Sequence, residues 1–161
     1  SSLYKNDRAL LRARTAAGLA TLKAQPGVAQ DKIAAIGYCF GGTAVLELAR
    51  SGADLAGVVS FHGGLDTATP QDAKNIRAKV LALHGADDPY VPADQIAAFE
   101  QEMRTAGVDW QLIAYGGAVH GFTNPASGSD NSKGVAYNAA ADARSWAAMR
   151  QFFTELFAKG S

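Results

Sequence analysis

The sequence predicts an α/β fold, a mostly parallel sheet with helices on both faces, and three observations predict it. Short apolar runs recur at residues 32–36, 56–61, 79–84 and 110–115, each too brief for a helix. Stretches with helical spacing alternate with these runs, which is the pattern of parallel strands joined by right-handed crossovers. A glycine-rich junction links the first run directly to the next helical stretch. In such sheets, function gathers at the carboxyl ends of the strands.

The elements follow in chain order. Residues 7–24 carry Leu10, Leu11, Ala17, Leu19 and Leu22 among basic side chains, with Asp7 placed to cap and Pro26-Gly27 to stop an amphipathic helix. Lys32 to Ile36 reads as the first strand, and a helix resumes from Thr43 to Arg50 before Ser51-Gly52 closes it. Ala56 to Phe61 and Lys79 to His84 read as buried strands, with a weak helical turn between them. Ile96, Phe99, Met103 and Ala106 mark one face of a helix from 93 to 106, stopped by Gly107 and followed by a strand from Trp110 to Tyr115. After a polar loop at 124–134, a long terminal helix is expected, lined by Val135, Ala139, Trp146, Met149, Phe153 and Leu156, with Trp146, Phe152 and Phe153 read as core. Residues 1–161 form a single domain in this reading.

Composition narrows the function classes. Fifteen basic and fifteen acidic residues give a formal net charge of zero, so no field draws in phosphate backbones or anionic lipid. Neither nucleic acid nor a membrane is expected as a partner; a homo-oligomer is compatible with the sequence. One Cys and three distant His supply no short-spaced zinc motif, so the site is expected to hold no metal and no cofactor. The opening residues Ser1 to Asn6 do not read as a secretory signal, and a cytoplasmic protein is the expectation.

The chemistry concentrates in Gly37-Tyr38-Cys39-Phe40-Gly41-Gly42, a G-x-C-x-G pattern at a strand-to-helix junction. It has the form of a nucleophile elbow with sulfur as the nucleophile. The turn strains the central residue, and glycines at 37 and 41 are expected to remove the collisions that side chains would make there. At the amino end of the next helix, the thiol meets a partial positive charge that favours thiolate. Such a nucleophile needs a base and an orienting acid, in the chain order nucleophile, acid, histidine. Cys39, Asp88 and His120 follow that order, each just past a different strand. Asp87 competes with Asp88 on sequence alone. His84 and His62, each closing a strand, read as structural, His84 as a hydrogen-bonded histidine, with substrate contact the other reading for His62. Tyr38, Phe40, Tyr90 and Phe122 adjoin the site.

Together, Ile36 to Gly42, Asp88-Pro89-Tyr90-Val91-Pro92 and His120-Gly121-Phe122 resemble the dienelactone hydrolase family over nearly the whole chain. The resemblance implies an α/β-hydrolase with a metal-free triad: Cys39 as nucleophile, His120 as base and Asp88, favoured over Asp87, as orienter. It also implies that the backbone N–H of Phe40 is an oxyanion donor. Tyr38, Tyr90 and Phe122, adjoining the triad, and Asn124 are the expected substrate contacts, with filling space beneath the site the other reading of the three aromatics. Asn124 stands where classical members carry a carboxylate-binding arginine, so uncharged esters or lactones are the expected substrates. The resemblance further implies that several N-terminal strands are missing, so that the chain is the C-terminal part of such a domain and its first strand lacks a neighbour. The expected enzyme is an esterase or lactonase. The alternatives are a metal-independent phosphotriesterase using the same triad and a non-catalytic scaffold half.

Overall fold

The structure is a computed structural model describing residues 7–158, so Ser1 to Asn6 lie outside it. Helix α1 (Arg8–Lys23) is capped by Asp7, whose carboxylate accepts the Leu10 N–H at 2.8 Å. Strand β1 (Ala34–Tyr38) runs into helix α2 (Phe40–Arg50), and β2 (Gly57–Phe61) follows. A 3₁₀ turn at Pro70–Asn75 leads to β3 (Lys79–Gly85), helix α3 (Ala93–Ala106) and β4 (Trp110–Tyr115). Two 3₁₀ turns break the polar loop before helix α4 (Ala139–Leu156).

The four strands are parallel in the order β1-β2-β3-β4. Alternate side chains of the two central strands serve two cores, as the two-residue period of a strand requires. Val58, Val80 and Ala82 pack with Leu46, Leu48, Phe99 and Met103 of α2 and α3. Val59, Phe61, Leu81 and Leu83 point the other way, onto Phe122, Ala141 and Met149. No strand lies on the outer side of β1 among the described residues, and Ile36 and Tyr38 there are exposed.

Three boundaries and one burial differ from expectation, each for a physical reason. The first strand begins two residues later, because the ladder starts where Ala34 meets Gly57, and Lys32 is engaged in a turn with Ala29. Helix α2 begins at Phe40 rather than Thr43, taking in Gly41 and Gly42. Gly42 is needed there, since a Cβ would sit 2.9 Å from Gly63 Cα and closer still to Ser60 Oγ. Helix α4 starts at Ala139 because Asn138 caps it, accepting the Ala141 N–H, while Val135 bridges instead to His120. Its buried stripe is Ala141, Ser145 and Met149, so Trp146 lies one position round the helix and is 50% exposed rather than core.

Beneath the site, Arg50 is fully buried at the carboxyl end of α2. It bonds Glu102 of α3 at 2.8 Å through two nitrogens and Glu47 at 3.0 Å, and Glu47 also receives Arg12 of α1 at 2.8 Å. These charges tie the helix that carries the elbow to its two neighbours.

Candidate active site

The elbow is built by the junction of β1 and α2. Cys39 has φ 51°, a left-handed conformation that costs a non-glycine residue roughly 1–3 kcal/mol. Glycine at 37 is what permits it, since a Cβ there would overlap the Gly41 carbonyl. A Cβ on Gly41 itself would meet nothing within 4 Å, so the expected steric need at 41 is absent. Cys39 occupies the cap position of α2, where the first N–H groups, Phe40's among them, have no acceptor within the helix.

The other side chains arrive from the carboxyl ends of β2, β3 and β4. Asp88 is buried, with Oδ2 2.9 Å from His120 Nδ1 and Oδ1 accepting the Tyr90 N–H at 2.9 Å. Asp87 turns outward and accepts the Gly117 N–H at 3.0 Å, which decides the geometry between the two aspartates. Cys39, His62 and His120 each present one donor atom, and the three atoms lie within 4.8 Å of one another.

His62 is the component that the sequence reading set aside. It follows β2, has φ 40°, and is 2% exposed. Its Nδ1 lies 3.3 Å from Cys39 Sγ and its Nε2 2.9 Å from Thr123 Oγ1. The Cys39 N–H bonds Phe61 O at 3.0 Å, with His62 Nδ1 at 3.2 Å. Cys39 is thus held between two imidazoles, and Cys39 and His62 are the described non-glycine residues at positive φ.

Electrostatics follow this arrangement. Hydrogen bonding to His120, then to His62, lowers the Cys39 thiol from 9.0 to about 6 against the opposing effect of burial. Bonding to Asp88, then to Cys39, raises His120 from 6.5 to about 9. Near neutral pH the favoured state is therefore a thiolate facing an imidazolium. His84 is buried with neither ring nitrogen partnered among the described residues, contrary to the hydrogen-bonded role expected, and burial lowers its pKa.

Cys39, Phe40, Thr43, Tyr90 and His120 open onto a cavity of about 540 Å³, where Arg8 and Asp66 pair at 2.7 Å. Of the expected substrate contacts, Tyr90 lines this cavity, its ring edge-on to His120 at 5.3 Å. Phe122 does not. It is fully buried between His62 and Tyr115, because the chain turns inward there to fill the second core. Tyr38 stacks on Phe61 at 4.4 Å outside the cavity, and Asn124 spends its side chain capping the Ala126 N–H.

A family model described as dienelactone hydrolase family matches residues 2–157. The chain belongs to the dienelactone hydrolase family. Members of this family are hydrolases, and the α/β architecture agrees with solved relatives. A dienelactone hydrolase-like promiscuous phosphotriesterase from metagenomic libraries is 50% identical with TM-score 0.88, matching 96% of this chain and 65% of its own. A structure named m3DLH is also 50% identical, with TM-score 0.91 over 98% of this chain and 65% of its own. An uncharacterized protein of Caenorhabditis elegans is 37% identical over 153 residues, 92% of this chain and 95% of its own. The chain therefore spans about two thirds of the solved relatives' length and nearly all of the nematode protein's.

Proposed function

We propose that this chain carries the reaction centre of a cysteine hydrolase acting on carboxylic esters or lactones. The observation that supports this most is the coupling of a depressed Cys39 thiol to a raised, Asp88-held His120 at one end of the sheet. The Cys39 thiolate attacks the ester carbon and forms a C–S bond, while the carbonyl oxygen takes up negative charge at the Phe40 N–H. Collapse breaks the C–O bond to the leaving group, which takes the His120 proton as it departs. Water then gives its proton to His120 and attacks the thioester, and the thiolate is expelled. Asp88 keeps the ring oriented and its charge compensated throughout. His62 steadies the sulfur from the side opposite the cavity.

Thiolate leaves a tetrahedral intermediate readily, so activated aryl and enol esters are the preferred class and amides are poor. Besides the His120 imidazolium, the cavity's described cation is Arg8, which is already paired with Asp66; this agrees with uncharged substrates. Steady-state kinetics on a neutral aryl ester and an acidic lactone, with Cys39→Ala as control, test the reading. Turnover should vanish in the variant while the fold survives, and kcat/KM should favour the neutral ester. Retained turnover in Cys39→Ala removes the nucleophile assignment.

The phosphotriesterase relative at 50% identity favours a second reading, in which the same thiolate attacks phosphorus in an uncharged organophosphate triester. A phosphotriester panel with and without EDTA tests it. Cys39-dependent turnover that survives the chelator supports it, and EDTA inhibition points to another site.

A further inference from the structure

Cys39, His62 and His120 come from three distant stretches of sequence, yet their donor atoms lie within 4.8 Å of one another. Sulfur and two imidazoles are a set suited to zinc and similar thiophilic dications. The remaining nitrogens are already held by oxygen: His120 Nδ1 by Asp88 Oδ2 at 2.9 Å and His62 Nε2 by Thr123 Oγ1 at 2.9 Å. That is the outer support that metal-ligating histidines use to fix ring orientation and raise ligand basicity. It leaves His120 Nε2, and His62 Nδ1 once the Cys39 N–H that it shares at 3.2 Å is left to Phe61 O at 3.0 Å, to converge on one ion; His62 Nδ1 lies 3.3 Å from Cys39 Sγ. Ligand atoms around tetrahedral zinc stand ~3.3–3.6 Å apart, given bond lengths of ~2.0–2.3 Å. The Cys39–His62 separation already fits, and the longest separation needs to close by ~1 Å, within the reach of ring rotation. A fourth position faces the cavity and admits water.

We propose that Cys39, His62 and His120 form a binding site for a single thiophilic divalent cation, zinc above all, and that the bound ion switches the hydrolase off. The ion is an inhibitor and not a cofactor, because it takes the lone pairs of the nucleophile and of the base. Binding is proton exchange as well as coordination: the thiolate enters as it stands, and His120 releases its Nε2 proton to solvent. The binding half rests on geometry alone, and the switching half rests on the catalytic reading above.

One experiment separates them. Zinc chloride is titrated into the metal-stripped protein against a chromophoric chelator, and zinc protection of Cys39 from iodoacetamide is followed in parallel; the sequence has one cysteine, so alkylation reports on one atom. One ion per chain is expected, with cobalt giving a thiolate-to-metal charge-transfer band. Cys39→Ser and His62→Gln should each weaken zinc by more than the ~10- to 100-fold typical of losing an outer-shell partner. Thr123→Val should weaken it by about 10-fold. Magnesium should neither compete nor protect. Unchanged zinc affinity in folded Cys39→Ser and His62→Gln, or failure of zinc to slow alkylation of the unaltered protein, overturns the site. Zinc that protects Cys39 stoichiometrically yet leaves ester hydrolysis untouched upholds the site and overturns the catalytic reading.

Discussion

Replacing Asp88 with Asn tests whether the thiol's acidity is borrowed from a carboxylate it does not touch. Asp88 is the leading cause of the rise of His120 from 6.5 to about 9. That rise corresponds to ~3 kcal/mol in favour of the imidazolium. An amide at 88 still offers an oxygen to Nδ1–H, so the ring keeps its place, but the charge that secures the second proton is gone. His120 then titrates nearer its ordinary value, and Cys39 loses the first of the supports that lower it from 9.0 to about 6. A thiol at about 6 is ~90% thiolate at pH 7, and one at 9.0 is ~1%. Iodoacetamide alkylation at pH 7 should therefore slow by up to ~100-fold in Asp88→Asn, with the midpoint of its pH profile moving upward. A folded variant whose alkylation midpoint stays near that of the unaltered protein refutes the reasoning.

Other outcomes follow from the same geometry. Because thiolate exists above about 6 and imidazolium below about 9, kcat/KM for an aryl ester should rise through the first value, hold, and fall through the second, both belonging to the coupled pair. Stability behaves differently: the depressed thiol's contribution shrinks as pH falls from 9.0 to about 6, the raised imidazole's shrinks as pH rises from 6.5 to about 9, and across the shared window the two slopes cancel. Thermal melts should be nearly level there, whereas Cys39→Ala, left with the imidazole alone, should melt lower as pH rises toward 9. Gly37→Ala should cost about 3 kcal/mol or more in urea denaturation because its methyl meets rigid backbone, whereas Gly41→Ala, which meets open space, should stay within about 1 kcal/mol. Arg50→Met strands Glu102 in the interior and should cost ~3–5 kcal/mol by the same measurement.

Much of this was readable from residue order. Helix α3 and strand β4 fall where Ile96, Phe99, Met103 and Gly107 and the run from Trp110 place them, because their periodicity and stops agree. Cys39, Asp88 and His120 could be nominated because each follows a different strand. Boundaries near the elbow were displaced because Gly41 and Gly42 have poor helix propensity yet are held in α2 by close backbone contact. His62 was missed because a histidine ending a buried strand has no local signature. The signal lay in register: Tyr38 pairs with Phe61, so the residues after them, Cys39 and His62, are neighbours one step past the ladder. Register across parallel strands is a long-range property that no local spacing encodes. Phe122 illustrates the converse, a residue adjoining His120 in sequence that the chain's inward turn consigns to packing.

That shared step past the ladder makes the sulfur-to-imidazole gap a gauge of the β-layer itself. Neighbouring strands keep a pitch of ~4.8 Å, and the relative rotation of β1 and β2 sets how far the two side chains lean together. A change of volume at Val59, deep in the interior and remote from any solute, would thereby be felt as altered acidity at Cys39. The reactivity of this thiol is tuned by the whole weave beneath it.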